Sequence, residues 1–402
     1  MDMNYDAIIC GMSAWHYHAT PPILRDTEIP AVRAQELAAA GSLRLPKEVL
    51  APRKNARRVD ALVSSRILTD LKGIPLPIHV MVDRRIRRRN SALVHLHVMG
   101  QHLRASDVLP LGNGLGVLTP QAALRLIAGT LGYAQTLMRA FEACGIYALE
   151  PDTQTLALAA TQLEQSGVLS REAAQKMQPI TAYWDSNGKR VAFTDASGND
   201  LPWVPCYNSS GKRTKMWKRP PLLNSDDLRE YMQSIWPLRH SRAEVTAKIV
   251  AEEVHDGAGS PLESQAAILM FSADRYGGAG WPWPKFNKTI PFAGGAVKLG
   301  NKKQAVGDMV LEDKKAIFEV NGKAFHADKH GFTVESGRRA ALEHMGYKVF
   351  DISYEHLSDL EAFDALMKTF SEQLSIPAHV KDSAFLRRRE KLHADLFPER
   401  YR

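Results

Sequence analysis

Between Val306 and Gly322 the chain carries two apolar runs joined by a short charged turn, and each run holds a single acid in its middle. The first run is Val306-Gly307-Asp308-Met309-Val310-Leu311, and the turn is Glu312-Asp313-Lys314-Lys315. The second run is Ala316-Ile317-Phe318-Glu319-Val320-Asn321-Gly322. Strand side chains alternate between faces, so Glu319 and Asn321 share a face with Ile317, while Phe318 and Val320 point the other way into a core. A carboxylate within a buried strand is costly unless it is paired or holds a metal ion. A hairpin across the Glu312–Lys315 turn returns Asp308 to Glu319. Two carboxylates so placed repel one another unless a cation lies between them. Oxygen ligands of this kind suit Mg2+ or Mn2+. Such an ion polarises a scissile phosphate and lowers the pKa of an attacking water. His326, just beyond the strand, suits an acid, a base or a phosphate contact.

A helix start precedes this pair. Ser260 reads as an N-cap, Pro261 as the first helical residue and Glu263 as the acid at the third position, followed by Ala266, Ala267, Leu269 and Met270. Taken alone, Glu263 is a capping-box acid.

As a set, these residues resemble the very-short-patch-repair endonuclease-like domains of the PD-(D/E)xK nuclease superfamily. The family pattern is an aspartate on one strand, a hairpin, a Glu-x-Asp-Gly strand and a histidine. A helix with Asp-x-x-Arg then leads to Leu and Gly before a final strand. Here the chain reads Asp308, Glu319-Val320-Asn321-Gly322 and His326, then Glu335-Ser336-Gly337-Arg338, Leu342, Gly346 and the run Tyr347 to Ile352. The resemblance covers Pro261 to Leu357, a quarter of the chain. It implies a restriction-endonuclease-like mixed sheet flanked by helices, with Asp308 and Glu319 as ligands of Mg2+ or Mn2+. It further implies Glu263 as another acid near the ion, His326 assisting the water or leaving group, and Arg338 contacting a phosphate or pairing with an acid. The chain departs from the pattern at Asn321, where a lysine or aspartate is usual, at Glu335 in place of aspartate, and at His326, one place late. Lys323 is the nearest cation able to stand in for the missing lysine.

The remaining 300 residues set the company this unit keeps. At 402 residues, 45% hydrophobic and 24% charged, the chain is expected to fold into two or three globular α/β (overall α+β) parts. The expected division is an α+β region over 1–150, a polar connecting region over 151–240, the nuclease-like domain over 241–380 and a basic tail over 381–402. The joint before the nuclease-like part is read at Asp256-Gly257-Ala258-Gly259. Cys10, Cys144 and Cys206 show no metal or disulfide spacing, and no apolar stretch or signal-like start points to a membrane or export, so a cytoplasmic protein is expected. A net charge of +8 favours a polyanionic partner, DNA foremost.

Tyr5 to Leu24 reads as a short apolar run followed by an aromatic helix that stops before Pro21-Pro22. Leu76–Val82 and Ala92–Val98 read as strands around Arg84-Arg85-Ile86-Arg87-Arg88-Arg89, a hairpin-like unit with arginines at its tip. Thr119 and Pro120 open a helix, and a second helix over about Tyr133 to Ala143 ends at Gly145. Ser209 to Pro221 reads as a basic loop in which Lys215 and an exposed Trp217 suit a nucleic-acid backbone. This upstream layout loosely resembles type IV abortive-infection antitoxin-like regulators, which implies DNA or protein-partner binding with Arg84, Arg85, Arg87, Arg88 and Arg89 as phosphate contacts. The sequence thus supports a metal-dependent DNA endonuclease, in phage defence, repair or mobile-element biology. The alternative is a non-catalytic, antitoxin-like DNA-binding regulator with a degenerate nuclease fold.

Overall fold

The apolar run Ala7-Ile8-Ile9 forms strand β1 (Ala7–Ile9), buried along its length, and Cys10 leads at once into helix α1 (Gly11–Ala19). The computed structural model describes residues 5–51, 57–83, 89–99, 103–176, 202–236, 241–321, 329–377 and 382–400, with 329–335 described as backbone. Within these residues the fold is α+β, with mixed sheets flanked by helices.

β1 is the middle strand of a sheet completed by β2 (Ile78–Val82), β3 (Val94–Val98), β4 (Val108–Gly112) and β5 (Leu115–Leu118), in the order β3-β2-β1-β5-β4. β2 spends its antiparallel side on β1, pairing Met81 with Ile8, and runs parallel to β3, pairing His79 with His95. The expected hairpin with arginines at its tip is therefore corrected. Parallel neighbours need a crossover, which a tight basic turn cannot supply. The period-2 pattern holds in part, with Ile78 and Val80 buried around a half-buried His79 although Met81 is buried too, but pairing direction depends on β1, far away in sequence.

Thr119 caps helix α2 (Pro120–Cys144), its Oγ1 accepting from the Ala122 amide. Gly132, at φ 73°, breaks the helical run, so the two expected helices are joined across a kink. The helix stops at Gly145, where a Cβ would stand 2.6 Å from the carbonyl oxygens of Phe141 and Ala258. Strands β6 (Tyr147–Leu149), β7 (Val204–Tyr207) and β8 (Arg213–Lys218) form a second sheet in the order β6-β8-β7. Ser209 to Pro221 is thus not a basic loop. β8 is a central strand, and Trp217 is fully buried with its Nε1 donating to Glu150 Oε2 at 2.7 Å.

The C-terminal part runs through α3 (Arg242–Glu253), α4 (Pro261–Phe271), β9 (Lys285–Pro291), β10 (Gln304–Leu311), β11 (Ala316–Asn321), α5 (Lys329–His344), β12 (Lys348–Ser353), α6 (Leu360–Leu374) and α7 (Ser383–Leu396). Its sheet has the order β12-β11-β10-β9, antiparallel through β9, β10 and β11, and parallel between β11 and β12. On one face Phe318 stacks on Phe350 at 5.3 Å and meets Phe370 of α6. On the other, Ile317 and Val310 pack with Ala341 and Leu342 of α5. Truncating a buried ring such as Phe318 costs about 3–5 kcal/mol, so the sheet is a stiff platform for whatever its strands carry.

The segment read as a joint at Asp256–Gly259 is bound on both sides. The Gly257 amide donates to Cys144 O at 3.0 Å, and Ala258 O accepts from the Ile146 amide at 2.9 Å. One hydrophobic core runs across it, from Trp15 and Phe141 to Phe271, Phe318 and Leu396. The expected basic tail is likewise a packed helix. Arg389 of α7 is buried, donating to Leu269 O at 2.7 Å and pairing with Asp364 at 3.0 Å.

Candidate functional site

α4 begins as its residue types dictate, with Ser260 Oγ accepting from the Glu263 amide at 3.2 Å and Pro261 in the first turn. The Glu263 carboxylate reaches past the N-cap residue. Its Oε2 accepts from the Gly259 amide at 2.7 Å and from Asn287 Nδ2 at 3.0 Å. Asn287 lies on β9 with φ 45°, a left-handed conformation that asparagine tolerates better than most residues. The ladder between β9 and β10 pairs Lys288 with Gly307 and Phe286 with Met309, and leaves out Asn287 and Asp308, which stand opposite each other.

Asp308 is half-buried in that gap, and its Oδ2 accepts from the Val320 amide at 2.8 Å. The hairpin pairs Met309 with Phe318 and Val310 with Ile317, so the next step of the register sets Asp308 against Glu319. Burial, and then the negative charge of Asp308, push the Glu263 carboxyl up to about 7. Lys218 opposes this shift with its charge, and its Nζ donates to Gly259 O at 2.6 Å. Glu263 and Asp308 therefore feel each other's charge across the irregular pair, and Glu319 stands opposite Asp308 in the register of β11.

Glu319 is 8% exposed and takes Arg338 Nη2 at 2.6 Å. The same nitrogen donates to Val306 O at 2.6 Å, tying α5 to β10. This is one of the two roles expected of Arg338, pairing with an acid. Asn321, at the end of β11, is half-buried with its Nδ2 3.4 Å from Asp351 Oδ1. Lys323, His326, Arg84, Arg85, Arg87 and Arg88 lie outside the described residues. Arg89 is exposed, and Lys215 is held at 2.9 Å by Asp152.

Two residues of the site, Asn287 and Lys218, escape a reading of the sequence. Asn287 sits behind Trp281-Pro282-Trp283-Pro284 in a run whose weak alternation carries no strand signal, and its irregular conformation has no local signal either. Lys218 is one more cation in a basic segment, and only the folding of β8 brings it to Gly259.

Among the described residues, no group of three or more His, Cys, Asp or Glu side chains is arranged to hold a metal ion. Magnesium does not require one, because it keeps several waters and takes one or two carboxylates together with substrate phosphates. A half-buried Asp308 whose charge reaches Glu263 offers one such carboxylate. Neither a family model, a curated protein nor a solved structure matches the chain.

Proposed function

We propose that the C-terminal third is a Mg2+- or Mn2+-dependent DNA endonuclease. One observation carries this reading: Asp308 occupies a gap in the β9–β10 ladder, where its charge reaches Glu263, and the hairpin register sets it opposite Glu319. Acids drawn together against their own repulsion gain from a divalent cation. The order of elements supports the same reading. An acid-bearing helix, an aspartate strand, a hairpin to a glutamate strand, a helix carrying Arg338 and a final strand follow the nuclease pattern in sequence.

In such an enzyme Asp308 and Glu319 would hold the ion, which when bound would polarise the scissile phosphate and lower the pKa of an attacking water. Glu263, whose carboxyl is raised by burial and by the charge of Asp308, would stand beside that centre as a further acid. Arg338 balances the charge on Glu319. Lys323 takes the part of the lysine that Asn321 does not provide, and His326 assists the water or the leaving group. The excess of basic residues, including the run from Arg84 to Arg89, supplies backbone contacts to the DNA.

A second reading draws on the Arg338–Glu319 ion pair and on Asn321. A cationic side chain already neutralises one ligand and the usual lysine is absent, as suits a DNA-binding, antitoxin-like regulator with a protein partner. Purified protein incubated with plasmid and Mg2+ or Mn2+ separates the two. The endonuclease nicks or cuts, and Asp308→Ala abolishes it. Cleavage that survives both Asp308→Ala and EDTA removes the proposed site, and tight binding without cleavage favours the regulator.

A further inference from the structure

The first sheet carries a cavity of about 560 Å³ at the C-terminal ends of β1 and β5, where α1 and α2 begin. Ligand pockets commonly span roughly 300–1,000 Å³, and crevices at the carboxyl ends of strands are a recurrent place for them. The chemistry of the walls is divided. Met81, Leu118 and Leu126 are the apolar members of the wall, and Arg125, His79 and His97 the nitrogen-bearing ones.

Arg125 is the unusual member. It is 7% exposed, yet among the described residues its Nε and Nη1 have no hydrogen-bond partner. Its acidic neighbour, Glu244, stands 3.9 Å away, beyond hydrogen-bonding distance. Those two nitrogens are sealed from solvent, so what Arg125 offers an anion in the cavity is its charge, met only loosely by Glu244. A second feature opens on the same space. Gly11, the first residue of α1, lines the cavity at φ 55°, and a Cβ there would meet nothing within 4 Å. Cys10 supplies no side-chain cap to α1, and its first turn carries no acid. The amides of that turn and the positive end of the helix dipole suit a phosphate.

His79 and His97 touch at 2.9 Å between Nδ1 and Nε2 and stack with His95. Burial, and then neighbouring imidazoles, hold both below the ordinary histidine range. Near neutral pH they therefore enter as uncharged hydrogen-bonding groups, and Arg125 is the charge that faces a ligand.

We infer that this cavity binds a phosphate monoester with an apolar or aromatic body, the phosphate lying between Arg125 and the start of α1 and the body lying along Met81, Leu118 and Leu126. The site is separate from the acidic site on β10 and β11 and does not depend on nuclease activity. Calorimetric titration of the full-length protein with phenyl phosphate, inorganic phosphate and phenol tests it. Phenyl phosphate is expected to bind, inorganic phosphate to bind more weakly and phenol not at all. Arg125→Met, combined with Glu244→Gln so that no buried carboxylate loses its cation, is expected to weaken phenyl phosphate by about tenfold or more with the fold retained by circular dichroism. If the double variant does not fold, Leu126→Trp, which narrows the cavity from a half-buried wall position, is expected to lower the affinity instead. Absence of binding by wild type, or unchanged affinity in the folded variant, overturns the site. Equal affinity for phenyl phosphate and inorganic phosphate overturns the assignment of an apolar body.

Discussion

Arg338 Nη2 bonds at once to Glu319 and to the Val306 carbonyl, each at 2.6 Å, so a single guanidinium nitrogen joins α5 to both strands of the hairpin. The side chains are 15% and 11% exposed, so the carboxylate has little water to solvate it if the arginine is removed. Arg338→Met is expected to destabilise the fold on the order of 3 kcal/mol, because it strands a buried charge. The change should show as a lower urea midpoint at unchanged slope. Adding Glu319→Gln should recover most of it. An Arg338→Met variant as stable as wild type would mean that the pair does not compensate Glu319.

Glu263 gives the acidic site a pH signature. Its carboxyl titrates near 4.5 when unperturbed and is raised to about 7 in the fold by burial and by the charge of Asp308. Between those values the folded chain holds the proton more tightly than the unfolded chain. The group's contribution is therefore complete below about 4.5 and is lost as pH rises through about 7. Glu263→Gln keeps the group neutral throughout. With EDTA present, the variant should gain on wild type by on the order of 2–3 kcal/mol between about pH 5 and pH 8, measured by urea unfolding. Parallel stability curves would show that Glu263 and Asp308 do not share the proposed environment.

The features that can be read before folding are local ones. Ser260, Pro261 and Glu263 announce the start of α4 through capping chemistry confined to four residues. The Asp308 to Glu319 hairpin announces itself through strand alternation around a short polar turn. The direction of β3 is not local, because β2 spends its other edge on β1 some seventy residues earlier. Trp217 reads as exposed because its neighbours are basic, but Leu24, Leu156, Ala160 and Leu169, all distant in sequence, pack with it. The gap at Asn287 and Asp308 exists only once β9 and β10 are paired, so no stretch of sequence announces it.

The arginine run is tested through salt. Replacing Arg84, Arg85, Arg87, Arg88 and Arg89 with glutamine should weaken DNA binding and flatten the dependence of log K on log salt by about 0.9 for each DNA phosphate that is no longer neutralised. An unchanged slope, read by fluorescence anisotropy across a salt series, would show that these residues do not touch the backbone.

Everything proposed for the acidic site depends on a divalent cation at Asp308. Electron paramagnetic resonance of Mn2+ titrated into the protein with a short DNA duplex present, so that phosphates can complete the coordination, reports that ion without requiring cleavage. Wild type is expected to bind Mn2+ at one site that is absent in Asp308→Asn, with the fold retained by circular dichroism. Equal Mn2+ binding by the two proteins, or none by either, would contradict it.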